Sequence, residues 1–169
     1  MIKYSKLRLW DTAGSERFRS VTKGYYSNSC CALIVYDITD ENSFKSVKDW
    51  IEDCQKYASK YINLVLVGNK IDLDQERKIS KEDGLELATE YGTEFFEASA
   101  KTGKNTEDIF SRTRKIADKK IDEGKYDFDD PSNGVSISEI DEGMQINKSI
   151  SLLGKNINKN NTNQKKGCC

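Results

Sequence analysis

The sequence predicts an α/β fold built on a parallel β-sheet. Two short apolar runs, typical of buried strands, occur at residues 31–36 and 64–67, and a third strand, largely apolar, is predicted at residues 95–98. Between them, apolar side chains recur every three or four residues, which is the spacing of an amphipathic helix. Strands that alternate with helices favour parallel pairing, because a parallel connection needs a dozen or more residues.

A further strand is predicted ahead of these runs, at residues 7–11. Leu7 and Leu9 alternate with polar or aromatic neighbours, which is the period-two pattern of a strand with one face in the core. The polar segment at residues 15–27 predicts an irregular loop or a short helix. Its aromatic side chains are candidate contacts for a protein partner: Phe18, Tyr25 and Tyr26.

Three helices are predicted between and after the apolar runs. The first covers residues 43–60, where the apolar side chains share one face. Ser80, with Asp83 three residues later, is a typical start for the second, because each side chain can bond the backbone N–H of the other residue. The third is predicted to begin at Asn105 or Thr106, which are both good helix caps.

These patterns divide the chain into a folded domain at residues 1–120 and a disordered tail at residues 121–169. The helical periodicity stops at about residue 121. The tail contains Pro131, the only proline, and is rich first in acidic residues and then in lysine and asparagine. Such a segment cannot bury enough apolar surface to fold by itself.

Composition narrows the classes of function. The chain has 169 residues with 27 basic and 28 acidic side chains, so its charge does not indicate a nucleic-acid partner. No apolar run is long enough to span a bilayer and no signal peptide opens the chain, which predicts a cytosolic protein. Three cysteines in predicted core segments are expected to be buried free thiols: Cys30, Cys31 and Cys54.

Asp11 and Gly14 form the first candidate site, at the end of the strand predicted at residues 7–11. A carboxylate in this position can hold the water shell of Mg²⁺. The glycine N–H can approach a terminal phosphate oxygen, because no Cβ stands in the way. Most Asp-x-x-Gly sequences are ordinary turns, so this pair alone is weak evidence.

A second candidate site follows the apolar run at residues 64–67. Ligands of parallel sheets gather at the carboxyl ends of the strands. The Asp72 carboxylate can accept hydrogen bonds from the N1–H and the N2 amine of guanine, a pair of donors that adenine lacks. The alkyl stem of Lys70 can lie along the face of the base. The four residues concerned are Asn69-Lys70-Ile71-Asp72.

Residues 10–18 read Trp-Asp-Thr-Ala-Gly-Ser-Glu-Arg-Phe, and residues 33–39 read Leu-Ile-Val-Tyr-Asp-Ile-Thr. Both runs resemble the Rab family of small GTPases, and the first resembles that family's third guanine-nucleotide motif and switch II. The resemblance covers about residues 4–120 and implies a parallel-sheet P-loop GTPase domain. It places Asp11 and Gly14 at the magnesium ion and the terminal phosphate. It also implies a base site, with a backbone N–H of its last loop at guanine O6, built from Asn69, Lys70, Asp72, Ser99, Ala100 and Lys101.

Two departures from the family pattern affect the expected activity. Ser15 stands where the family has the glutamine that orients the attacking water, so GTP hydrolysis is expected to be slow. No Gly-x-x-x-x-Gly-Lys-Ser/Thr phosphate loop occurs in residues 1–169. We therefore expect a domain without the family's first strand, phosphate loop, first helix and second strand, which binds GTP weakly and is inactive as written. A truncated gene model is the favoured explanation, and a naturally short isoform or a decaying paralogue are the alternatives.

The resemblance implies a GTP-binding switch in intracellular membrane trafficking, with GTP or GDP and Mg²⁺ as cofactors. The implied partners are Rab effectors, exchange and activating factors, and a prenylation escort. Cys168 and Cys169 look like the family's double prenylation signal, which implies a lipid anchor on the cytosolic face of a membrane beside a soluble cytosolic pool. The alternative is a prenylated interaction module that needs no nucleotide. Asp72 argues against a third possibility, a P-loop enzyme that uses adenylate.

Overall fold

The computed structural model describes residues 7–12, 14 and 19–136. The chain divides into two compact units, Met1–Ile137 and Ser138–Cys169, and all of the described residues belong to the first unit. Among the described residues, no helix is both long and apolar enough to cross a membrane.

The described unit contains a parallel sheet of three strands in the order β1-β2-β3. These strands are Cys31–Asp37 (β1), Asn63–Asn69 (β2) and Glu94–Glu97 (β3). β1 and β2 pair along all seven of their residues, and β2 pairs with β3 through four. The three predicted strands are thus confirmed as parallel, and their carboxyl ends lie at one edge of the sheet.

Five α-helices accompany these strands in the described residues. Two short 3₁₀ segments, Ile71–Glu76 and Pro131–Asn133, complete the regular structure. The α-helices are Arg19–Tyr26 (α1), Glu41–Lys45 (α2), Val47–Tyr57 (α3), Lys81–Glu90 (α4) and Thr106–Asp122 (α5). The short-helix alternative for residues 15–27 is confirmed in α1.

The single helix predicted at residues 43–60 is wrong, because α2 and α3 are separate helices that meet at Ser46. The Ser46 hydroxyl donates to the Asn42 carbonyl at 3.1 Å, and the Ser46 backbone N–H donates to the same oxygen at 3.1 Å. A serine that bonds back to the preceding turn in this way bends a helix. The apolar spacing continues across the break, which is why the sequence pattern did not reveal it.

The other two helix starts agree with the sequence. α4 begins with a complete capping box, in which Asp83 N–H donates to Ser80 Oγ at 3.0 Å and Ser80 N–H donates to Asp83 Oδ2 at 3.1 Å. α5 begins after Asn105, as predicted, but Asn105 has φ 63° and its side chain does not cap the helix. Its amide donates instead to the Glu97 carbonyl at 2.7 Å.

The strand predicted at residues 7–11 is wrong, because residues 7–12 have no regular secondary structure. Leu9 and Trp10 are 55% and 56% exposed. An alternating segment becomes a strand only when a neighbour supplies the hydrogen bonds of a ladder. β1 pairs with β2 on one side, and the described residues provide no strand on its other side.

The packed chain extends beyond the boundary predicted at residue 120. α5 continues to Asp122, and Tyr126 is only 5% exposed. The periodicity that predicts helices ends here, so a single buried aromatic residue left no pattern to detect. The tail beyond residue 136 lies outside the described residues.

Side chains cover both faces of the sheet. One core cluster joins Tyr36 and Leu66 of the sheet to Ile51 of α3 and Leu87 of α4. A second cluster joins the opposite face to α5 through residues such as Ile109. The three described cysteines are free thiols: Cys54 is buried, whereas Cys30 and Cys31 are half-buried. These two layers leave the carboxyl edge of the sheet to the loops.

Candidate functional site

Two loops meet at the carboxyl edge of the sheet, one after β2 and one after β3. The Ser99 hydroxyl donates to Asp72 Oδ1 at 2.5 Å. The Ala100 backbone N–H donates to Asn69 Oδ1 at 3.1 Å. Residues about thirty positions apart in the sequence are therefore bonded directly, and the structure brings together the two motifs that the sequence placed in one site.

Ser99 is the buried support of this arrangement. Its side chain is fully buried, and its Oγ also accepts the Thr102 backbone N–H at 3.1 Å. The hydroxyl is thus held on the loop after β3 while it donates to Asp72. This geometry fixes the direction in which the Asp72 carboxylate points.

The Asp72 carboxylate is suited to accept two further hydrogen bonds. The Ser99 hydroxyl holds the pKa of Asp72 below its usual range, so the group is ionised at neutral pH. An ionised carboxylate offers about four acceptor positions. Ser99 takes one, and the Lys101 ammonium lies 3.7 Å from Oδ2. Because 3.7 Å is longer than a hydrogen bond, acceptor positions remain on the carboxylate for the paired N1–H and N2 donors of guanine.

Ala100 differs from the expectation in one respect. A backbone N–H of its loop was predicted to meet guanine O6, but the Ala100 N–H donates to the Asn69 side chain in the structure. A base oxygen that entered the site would share this N–H in a three-centre bond or replace Asn69 as its acceptor. Asn69 therefore holds the donor in place between the two loops.

Lys70 has a partner that the sequence analysis missed. Its ammonium lies 2.6 Å from Oδ2 of Asp37, the last residue of β1. The sequence did contain a signal for this contact. Asp37 comes at the end of one buried strand, and Asn69-Lys70 comes at the end of the next. Strand order, which places β1 beside β2, is what makes this contact possible.

Arg77 and Glu97 form a second pair that the sequence analysis missed. Arg77 Nη1 lies 2.6 Å from Glu97 Oε1 and donates to the Ile79 carbonyl at 3.1 Å. Glu97 is only 13% exposed as a side chain and ends β3, just before the loop that carries Ser99. The hydrogen bond to Glu97 raises the pKa of Arg77. The pair therefore ties the end of the 3₁₀ segment that contains Asp72 to the end of β3.

Asp11 and Gly14 are exposed, and no described hydrogen bond or ion pair joins them to the two loops. The described residues contain no group of three or more histidine, cysteine, aspartate or glutamate side chains that could hold a metal ion. A single carboxylate still fits Mg²⁺, which keeps several waters and takes its other ligands from phosphates. Ser15 lies outside the described residues, so its role stays a prediction.

The aromatic side chains after Gly14 divide into two groups. Tyr25 is exposed, and its ring centroid lies 5.3 Å from that of Trp10. Tyr26 is 9% exposed and belongs to the core, so the prediction that it contacts a partner is wrong. Helical geometry points adjacent side chains in different directions, which the sequence pair Tyr-Tyr does not show. Phe18 lies outside the described residues.

A comparison with protein-family models matches residues 2–119 to the model of the Ras family. This chain is a member of the Ras family. Ras-family proteins are small GTPases, which in general bind GTP or GDP with Mg²⁺, hydrolyse GTP and act with regulators. The α/β fold with its parallel sheet is the Ras-family domain expected from the sequence. The loops after β2 and β3 lie within the matched range.

Proposed function

We propose that this protein is a Rab-type GTPase, a guanine-nucleotide-dependent switch that recruits effectors to a membrane. The observation that carries the proposal is the Asp72 carboxylate, which the Ser99 hydroxyl orients and holds ionised while acceptor positions remain for a ligand. The Rab assignment rests on the resemblance of residues 10–18 and 33–39 and on the paired C-terminal cysteines. The exposed Trp10–Tyr25 pair is a suitable effector surface, because aromatic rings are enriched in protein interfaces.

Base recognition can be tested apart from phosphate binding. In Asp72→Asn, an amide N–H replaces one carboxylate oxygen and can donate to the O2 of xanthine, whereas it opposes the N2 amine of guanine. Hydrogen bonds to charged groups contribute about 1.5–3 kcal/mol, and 1.4 kcal/mol corresponds to about tenfold in affinity. We expect the wild-type chain to bind GDP weakly but at least about tenfold better than XDP, and the variant to reverse this order.

The measurement is a titration of residues 1–169 with each nucleotide and Mg²⁺, followed by NMR. Asp118→Asn is the matched control, because Asp118 pairs with Arg114 within α5 and makes no described contact with Asn69, Asp72, Ser99 or Ala100. It should keep the guanine preference. A wild-type chain that does not discriminate the two bases would contradict the proposal.

The second candidate function is a prenylated interaction module that uses no nucleotide. The exposed Trp10–Tyr25 pair favours it, since this surface does not depend on the base site. The titration separates the two, because the module should show no base preference. Both candidates include a membrane anchor at Cys168 and Cys169, which lie outside the described residues. Two lipid additions in the intact mass of protein from a eukaryotic host would support the anchor, and an unmodified C-terminus would refute it.

A further inference from the structure

We propose that Asp37 is a positioning residue of the guanine site, which holds the Lys70 side chain in place beside the base and away from Asp72. This inference rests on the proposed function, because it concerns the same site. It begins from the 2.6 Å contact between Asp37 Oδ2 and Lys70 Nζ.

The carboxylate of Asp37 is itself fixed. Its Oδ1 accepts the Thr39 backbone N–H at 2.8 Å and the Thr39 hydroxyl at 2.7 Å. Oδ2 is thereby presented to Lys70. Burial raises the pKa of Asp37, but the hydrogen bonds from Lys70 and Thr39 outweigh this effect and leave the pKa below its usual value. Asp37 therefore offers Lys70 a fixed negative charge.

Two features mark Lys70 as a residue held in a particular position: its backbone conformation and the negative charges that act on its ammonium group. It has φ 68° and ψ 34°, the left-handed conformation that is unusual for a residue with a side chain and is concentrated at functional sites. The hydrogen bond with Asp37 raises the pKa of Lys70, and the charges of Asp40 and Asp72 act in the same direction. Three carboxylates therefore act on the charge of Lys70, and among the described contacts Asp37 makes the short one.

The Asp37–Lys70 ion pair affects the position of the Lys70 side chain more than it affects the stability of the fold. The side chain of Lys70 is about half exposed, and exposed ion pairs contribute little to folding. The contact does determine where the Lys70 stem runs, from the end of β2 to the end of β1 along the carboxyl edge. Its methylene groups then form an apolar surface next to Asp72, on which a flat base can stack.

Loss of Asp37 should therefore act through Lys70. The freed ammonium would be attracted to the remaining carboxylates, including Asp72, whose acceptor positions the base needs. Lys70→Met keeps an apolar stem of similar length and removes the charge. In a Lys70→Met chain, Asp37 has no ammonium to hold, so its loss should have no further effect on nucleotide binding.

The test is a double-mutant cycle on residues 1–169, with GDP and Mg²⁺ as the probe and NMR titration as the readout. We expect Asp37→Asn to weaken GDP binding by about tenfold, a coupling of about 1.4 kcal/mol. In the Lys70→Met background, Asp37→Asn should change the affinity by less than about twofold.

Glu94→Gln is the matched control. It removes the same charge from an ion pair of similar length, 2.7 Å between Glu94 and Arg112, at the start of β3 and so at the opposite edge of the sheet. It should leave GDP affinity unchanged. If Asp37→Asn does not fold, Thr39→Val replaces it in the cycle, because it removes the hydroxyl bond that fixes Asp37. Its effect should be smaller and should likewise vanish with Lys70→Met.

The outcomes are distinguishable. A wild-type chain without a guanine preference overturns the proposed function, and the inference falls with it. A wild-type chain that prefers guanine overturns the inference alone under either of two results. One is that Asp37→Asn leaves GDP affinity unchanged; the other is that its effect is equally large with methionine at position 70.

Discussion

At the scale of single residues, Tyr36 is tightly packed and its hydroxyl is buried without a hydrogen-bond partner in the described part of the chain. The residue is 1% exposed. Burial raises the pKa of this hydroxyl to about 12. A Cβ built at Gly84 would lie 2.5 Å from the hydroxyl oxygen, and one at Gly68 would lie 2.9 Å from it. Both glycines are required here for close approach.

This crowding leads to a prediction on stability. Gly84→Ala should lower the free energy of unfolding by about 1–3 kcal/mol, because the new methyl group has no space. Tyr36→Phe removes the buried hydroxyl, which has no partner, so it should raise stability by up to about 1 kcal/mol. It should lessen the effect of Gly84→Ala without abolishing it, because the Phe95 ring also lies 2.6 Å from the new Cβ. Urea denaturation of the single and double variants measures both effects.

The control is Gly24→Ala. No atom lies within 4 Å of a Cβ built at Gly24, which is inside α1, so alanine should be neutral or stabilising there. A cost at Gly84 no larger than the change at Gly24 would contradict the close contact with Tyr36.

At the scale of secondary-structure elements, two serines that each precede a helix behave differently. Ser80 caps α4 through a reciprocal pair of bonds with Asp83. Ser46 precedes α3 but makes no side-chain bond to its first turn, and donates instead to the carbonyl of Asn42. The same residue type therefore starts one helix and interrupts another.

The capping box leads to a second prediction. Ser80→Ala should lower the free energy of unfolding by about 1 kcal/mol, because it removes the acceptor for an otherwise unpaired N–H of the first turn. Ser46→Ala removes a hydroxyl that caps nothing, so its effect should be clearly smaller. Chemical denaturation of the two variants measures the difference, and equal losses would show that the capping bond is not what matters.

At the scale of the whole described unit, the loops after β2 and β3 lie at one edge of the sheet. The C-terminal strap, defined as residues 123–136, lies at the opposite edge. The strap packs where the strands begin: the Tyr126 hydroxyl donates to the Tyr61 carbonyl at 3.2 Å and accepts from the Asn63 amide at 3.3 Å. Gly134, with φ 66°, packs so closely that a Cβ there would lie 2.5 Å from the Cys30 nitrogen. The strap is thus part of the folded domain.

The third prediction concerns where the domain can be cut. A chain that ends at residue 122 should be less stable than one that ends at residue 136 by about 1.5–3 kcal/mol, the value of burying one large side chain such as Tyr126. Thermal and urea unfolding of both chains provide the measurement. Tyr126→Phe in the longer chain is the control: it keeps the ring and loses only hydroxyl bonds, which contribute about 1 kcal/mol. If the two chains are equally stable, the folded domain ends near residue 120, as the sequence predicted.

Much of the fold and the base side of the site could be predicted from the sequence, because the relevant signals are local. The strands at Cys31–Asp37 and Asn63–Asn69 appear as apolar runs, and the capping box of Ser80 lies within four residues. The Asn69-Lys70-Ile71-Asp72 motif lies directly after a strand, so its place at the carboxyl edge follows from the pattern alone.

Other features depend on contacts between residues distant in the sequence, and only the tertiary structure decided them. Residues 7–11 alternate like a strand but have no ladder partner among the described residues. The sequence does not show that Lys70 meets Asp37, or that Tyr126 is buried against Tyr61. Periodicity reports only the immediate neighbours of each residue. The order of the strands and the path of the chain over them determine which distant side chains meet: Lys70 meets Asp37 where the strands end, and Tyr126 meets Tyr61 where they begin.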